Sequence, residues 1–132
     1  MITTKNIIAI YKLANPSEIK HGLTWYVNAN TDCMRIANKL ELPLHIVIGV
    51  VSALSPNNKW ERNIVNAEDL CKAFINGQDM DSIKVSTYHK MKQKAWHILE
   101  TMPSYDETII ILNGKKIVSF FRNISGDETD IT

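Results

Sequence analysis

The stretch Ile110-Ile-Leu-Asn-Gly-Lys-Lys-Ile-Val-Ser-Phe-Phe-Arg-Asn-Ile-Ser-Gly-Asp127 decides how this chain is read. Gly114 separates a short apolar turn from a segment in which Ile117, Val118, Phe120, Phe121 and Ile124 recur at helical spacing, so the spacing predicts a helix over Lys115 to Ile124. Two lysines open that helix. The first N–H groups of a helix find no carbonyl within it, so Lys115 and Lys116 set ammonium groups beside free donors, a combination suited to a phosphate. Cations there oppose the helix dipole, and an anionic partner or solvent must offset the penalty.

Outward from this stretch every segment reads as helix. Thr3 or Thr4 can cap a short helix through Ala14, with Ile7, Ile8, Tyr11 and Leu13 as its stripe, ended by Asn15-Pro16. Leu23, Tyr26, Val27, Cys33, Ile36, Ala37 and Leu40 predict a helix from about Leu23 to Leu40, weakened around Asn28 to Asp32. Pro43 fits a first helical position ahead of Leu44 to Leu54. The β-branched Ile46, Val47, Ile48, Val50 and Val51 would equally suit a buried strand, but no second strand offers a ladder partner, and a central buried helix is expected.

Ser55-Pro56-Asn57-Asn58 is a turn by composition, and Asn57 or Asn58 can cap a helix through Phe74 with Trp60, Ile64, Ala67, Leu70, Cys71 and Phe74 inward. Asn76-Gly77 closes it. Ser86 or Thr87 opens the next helix, with Met91, Ala95, Ile98 and Leu99 inward and the lysines outward, and Pro103 follows its end. Ser104 or Asp106 caps a short turn through Leu112. These elements predict an all-α fold forming one domain over residues 1–132.

Composition narrows the function classes. Hydrophobic residues at 45% and charged residues at 22% suit a globular chain long enough to bury its own core. Cys33 and Cys71 sit inside apolar-periodic segments without a CxxC pair, so buried free thiols are expected rather than a disulfide or zinc site. None of the four histidines pairs at ligand spacing, and no metal or cofactor is expected. With no leader-like N-terminus and no long apolar run, the chain reads as cytoplasmic, with no membrane partner.

The net charge of +1 argues against a broadly basic nucleic-acid binder, but the distribution is uneven. From Lys84 to Leu99 the chain carries Lys84, Lys90, Lys92 and Lys94 with no acid, and Lys115, Lys116 and Arg122 follow. Acids gather elsewhere, at Glu61, Glu68, Asp69, Asp79 and Asp81 and in the solvated tail with Asp127, Glu128 and Asp130. Lys90, Lys92 and Lys94 are candidates for tracking DNA phosphates, or else an ordinary solvated helix face. Trp25, Trp60 and Trp96 offer stacking surfaces for a base, although core packing is their commoner role.

Three motifs, Leu54-Ser55-Pro56-Asn57, Lys94-Ala95-Trp96-His97-Ile98 and Ile111-Leu112-Asn113-Gly114-Lys115-Lys116-Ile117, stand in the order and spacing of the helix-hairpin-helix DNA glycosylases, and residues 46 to 132 resemble that family. The resemblance implies a base-excision fold, a compact multi-helix orthogonal bundle that binds double-stranded DNA. It makes Asn57 a wedge into the duplex, Gly114 and Lys115 phosphate contacts, and Lys116 a Schiff-base nucleophile activated by its cationic neighbour. The hairpin is shortened and keeps one glycine, the four-cysteine iron–sulfur motif is missing, and the family's catalytic aspartate is expected just past Thr132, so residues 1–132 are expected to lack complete glycosylase machinery. The wording around Ser52 to Leu70 is also similar to uncharacterised phage and marine-metagenome proteins. The sequence therefore yields two expectations: a DNA-binding protein, or a non-enzymatic phage-type helical protein acting through protein contacts, as a homodimer in one version.

Overall fold

The computed structural model describes residues 16–126, with side chains from Thr24 onward. Six α-helices follow one another: α1 (Pro16–Leu40), α2 (Leu44–Ala53), α3 (Trp60–Ile75), α4 (His89–Thr101), α5 (Tyr105–Leu112) and α6 (Lys115–Ser125). A single 3-10 turn, Met80–Ser82, lies between α3 and α4, and no strand occurs among the described residues. The helix expected before Ala14 lies outside the described residues.

The chain is organised around α2. Every residue from Ile46 to Ala53 is buried, and the helix packs against α1, α3, α4, α5 and α6. Its five β-branched residues lower helix propensity by less than about 0.7 kcal/mol each, whereas full burial of each contributes about 1.5–3 kcal/mol. Burial decides the outcome, and the ambiguous segment is a helix wrapped on all sides. Gly49 makes the wrapping close: a Cβ built there would meet Thr108 Cγ2 on α5 at 2.9 Å and Ile98 on α4 at 3.6 Å.

The surrounding helices follow the apolar periodicity. Cys33, Ile36 and Ala37 on α1, Ala67, Leu70 and Cys71 on α3, Ala95, Ile98 and Leu99 on α4, Leu112 on α5, and Phe121 and Ile124 on α6 complete one core cluster. Both cysteines are free and buried, and burial pushes each thiol up to about 12. The α1 helix starts at Pro16, well before Leu23, and runs unbroken through Asn28 to Asp32. Polar side chains did not interrupt it because Ala29, Cys33 and Ile36 keep a buried stripe in phase.

Helix ends show which local chemistry prevailed. At α3 the N–H of Gln78 bonds to the Ala73 carbonyl and that of Gly77 to Phe74, with Gly77 at φ 73°, so the Asn76-Gly77 signal gives a Schellman closure. Ser104 opens α5 through a reciprocal capping box with Glu107. Other expected caps are not used. Lys59 precedes α3 and Tyr88 precedes α4, neither with a side-chain cap bond. Ser86 and Thr87 instead tie the loop before α4 to its neighbours: the Ser86 N–H donates to Asn66 Oδ1, and Thr87 Oγ1 donates to the Pro56 carbonyl.

Candidate functional site

The N-terminus of α6, the turn after α2 and the first turn of α3 enclose a cleft of about 720 Å³. Trp25, Trp60, Phe120 and Ile117 supply its apolar wall, Ser55, Pro56 and Asn58 its rim, and Gly114, Lys115 and Lys116 its basic edge. Asn63 lines it as well, only 1% exposed. Among the described residues this lining holds two cations and no carboxylate.

Aromatic packing builds the wall. Trp25 meets Trp60 at a centroid distance of 5.1 Å and an interplanar angle of 66°, and meets Phe120 at 5.8 Å and 43°. Trp60 is held from behind by its Nε1 donating to Asp32 Oδ2 at 3.4 Å. Trp25 remains 39% exposed, so part of an indole is open to the cleft's surroundings. Trp96 is elsewhere, packed edge-on against Phe74.

The rim loop is fixed by its own hydrogen bonds. Asn58 Nδ2 donates to the Leu54 carbonyl at 3.1 Å and to Asn66 Oδ1 at 3.3 Å, and Ser55 Oγ donates to the Ser52 carbonyl at 2.7 Å. Two oxygens of the lining are left over: Asn58 Oδ1 and Asn63 Oδ1 are buried without a hydrogen-bond partner among the described residues. A buried carbonyl oxygen with no donor costs about 1–3 kcal/mol, so a ligand N–H placed there would be favoured.

The basic edge is set by a two-residue connection. Asn113 takes the left-handed conformation at φ 49°, while Gly114 is extended at φ −134°, open to any residue type. The first intrahelical bond of α6 runs from the Val118 N–H to the Gly114 carbonyl at 2.7 Å, leaving the N–H groups of Lys115, Lys116 and Ile117 without a carbonyl in the helix. Lys115 and Lys116 are exposed and form no ion pair among the described residues. Lys94 steadies the approach: its ammonium donates to the Leu112 carbonyl at 2.9 Å, at the C-terminal end of α5.

Of the residues singled out in the sequence, Gly114, Lys115 and Lys116 therefore meet at one cleft. Asn57 does not line it; it is exposed in a left-handed conformation at φ 53°, and its neighbour Asn58 takes the rim position. The row Lys90, Lys92 and Lys94 is not a uniform outward face. Lys90 is exposed, but Lys92 is 7% exposed and donates to the Ile83 carbonyl, anchoring the segment after the 3-10 turn. Burial, with Lys90 adding repulsion, pulls Lys94 below the ordinary lysine range. Lys92 and Lys94 thus hold the chain's own carbonyls. Asn63 was the residue that apolar periodicity passed over; its signal was a polar side chain in the inward register of Ala67 and Leu70.

Elsewhere, Glu68 gathers Arg35, Lys39 and Lys72 at 3.2, 2.9 and 3.3 Å, and Lys39, followed by Lys72 and Arg35, holds its carboxyl down at about 2. No cluster of three or more metal-ligating side chains occurs among the described residues. Nor is any single described helix long and apolar enough to cross a membrane. The jointly apolar α1–α2 pair is bent by 119°, and α2 is buried within the bundle.

The resemblance to helix-hairpin-helix glycosylases does not stand. The glycine-rich loop of that motif is here a single left-handed asparagine followed by an extended glycine, and the family model that matches is one of unknown function, not that of the helix-hairpin-helix glycosylases. The Schiff-base role of Lys116 rested on that resemblance and falls with it. No curated protein and no solved structure matches the chain. The match extends over residues 2–132, and the chain belongs to the family of unknown function DUF7178.

Proposed function

We propose that the protein binds DNA by its backbone phosphates at the start of α6. One observation supports this reading: adjacent exposed lysines that form no ion pair among the described residues stand beside three helix N–H groups with no carbonyl partner in the helix, at the edge of a cleft whose described lining holds no carboxylate. Each part alone is weak. Together they supply charge, oriented donors and a rigid frame, the last from the Lys94 brace and the Asn58–Asn66 bond. The overall charge of +1 makes the attraction local, so binding is modest in strength and shallow in its salt dependence, as few phosphates are neutralised.

The test is a salt titration of binding to a DNA duplex with a single-stranded overhang. Each phosphate neutralised contributes about 0.7–0.9 to the negative log–log slope, so Lys115→Ala/Lys116→Ala reduces the slope by roughly 1.4–1.8. Binding with no salt dependence, or a slope untouched by the double substitution, rejects the reading.

A second reading has its own observation. Ile110 is 74% exposed and Met102 40%, and both border a hollow with His97, Pro103 and Ile111 on the α4–α5 side. Such a patch supports self-association. Sedimentation of wild type against Ile110→Glu decides it: a concentration-dependent dimer lost in the variant supports this reading.

A further inference from the structure

We propose that the cleft beside Lys115 and Lys116 takes a single unpaired nucleobase, so that the protein prefers single-stranded or locally unpaired DNA over fully paired duplex. This rests on the phosphate reading above and adds the identity of what fills the cleft.

Phosphate binding leaves three features of the cleft unused. The cleft, at about 720 Å³, lies within the size range of small-molecule sites, far more than an ammonium–phosphate contact needs. Its wall is aromatic, and Trp25 keeps 39% of its surface open although it packs against Tyr26, Trp60 and Phe120. Asn63 is almost wholly buried, lines the cleft and has a carbonyl oxygen with no donor. An apolar occupant would leave that oxygen unpartnered, and a purely polar one would waste the rings.

A nucleobase satisfies all three. It is flat and stacks on an indole face, a contact tolerant of base identity because every base has a π face. Each DNA base also carries an N–H donor on its pairing edge, suited to the Asn63 oxygen, and in a duplex that edge is already engaged by the complementary strand. The base must therefore enter unpaired. Its attached phosphate then lies at the basic edge, where the α6 N–H groups and the two lysines meet the cleft.

The experiment compares three DNA ligands at one low salt concentration: a short single-stranded thymidine oligonucleotide, a strand of equal length built from abasic sugar–phosphate units, and a blunt duplex. Fluorescence anisotropy gives affinity, and intrinsic tryptophan emission reports stacking. The thymidine strand should bind at least about 5-fold more tightly than the abasic strand and quench tryptophan emission, which the abasic strand should not do. Trp25→Ala should weaken thymidine binding by about 5- to 150-fold, narrowing the difference between strands. Because wild-type quenching is read without any variant, the test survives if Trp25→Ala fails to fold. Equal affinity for thymidine and abasic strands overturns the base slot while leaving the phosphate reading intact. Tighter binding to blunt duplex overturns the preference for unpaired bases, and absence of binding to all three overturns both readings.

Discussion

Replacing Gly49 by alanine tests whether the close wrapping of α2 is real. In an ordinary helix interior this change would stabilise by about 1 kcal/mol, because alanine is the better helix former. Here the new methyl would stand 2.9 Å from Thr108 Cγ2, with two Ile98 carbons at 3.6 Å behind it. Thr108 cannot swing aside freely: its Oγ1 donates to the Ser104 carbonyl at 2.7 Å, and rotating the methyl away breaks that bond. Overpacking of this kind costs about 1–3 kcal/mol, so Gly49→Ala is neutral to destabilising by roughly 2 kcal/mol. Thr108→Ser keeps the hydroxyl, removes the methyl and alone costs about 1 kcal/mol. In the double variant the alanine methyl enters the vacated space, and only the propensity gain remains. Its stability should lie within about 1 kcal/mol of wild type, on the stable side, giving a coupling of roughly −2 kcal/mol between the sites. Urea denaturation of the four proteins at equal slope measures this. If Gly49→Ala stabilises by itself, or the two changes simply add, the contact between α2 and α5 is looser than described.

Three other outcomes follow from particular contacts. Ser104→Ala removes the capping box that opens α5 and should lower stability by about 0.5–2 kcal/mol in thermal or urea denaturation. Lys92→Met keeps much of the buried stem but leaves the Ile83 carbonyl without its ammonium; a loss of about 1–3 kcal/mol is expected, with faster amide exchange around Met80–Ser82. Glu68 is held at about 2, below its ordinary 4.5, so its stabilisation is complete above pH 4.5 and is lost as pH falls toward 2. Glu68→Gln should therefore flatten the stability–pH curve in that window, and an unchanged acid limb would show that the three cations contribute nothing.

The helical order was legible because apolar spacing, Gly77, Pro103 and Ser104 all carry strong local signals. The α2 segment was not decided by local preference at all; its β-branched residues favour a strand, and the helix exists because five other helices cover it. Caps were the least legible feature. Ser86, Thr87 and Asn58 have the chemistry for capping, yet their hydrogen bonds go to Asn66, Pro56 and Leu54, partners 4 to 31 residues away that short-range pattern cannot reveal. The cleft was half legible. Lys115 and Lys116 announced a basic helix start, while Asn63 stood unremarked in an apolar register and Lys92 and Lys94 looked free when their carbonyl partners lay 9 and 18 residues distant. The glycosylase resemblance rested on short motifs, and the family match over residues 2–132 is to a family of unknown function; Gly114, the glycine it relied on, is extended.

The two free thiols of the core give the molecule a built-in tracer of its own opening. Burial raises both Cys33 and Cys71 to about 12, well above the ordinary thiol range, so the unreactive thiol form dominates near neutral pH, and neither sulfur is reachable while α1 lies on α3. An alkylating reagent consequently consumes the protein in proportion to the population in which that helix pair has parted, as long as reclosing outpaces alkylation. The decay of free thiol in plain buffer reads the rarest excursions of the bundle without denaturant, heat or an attached dye.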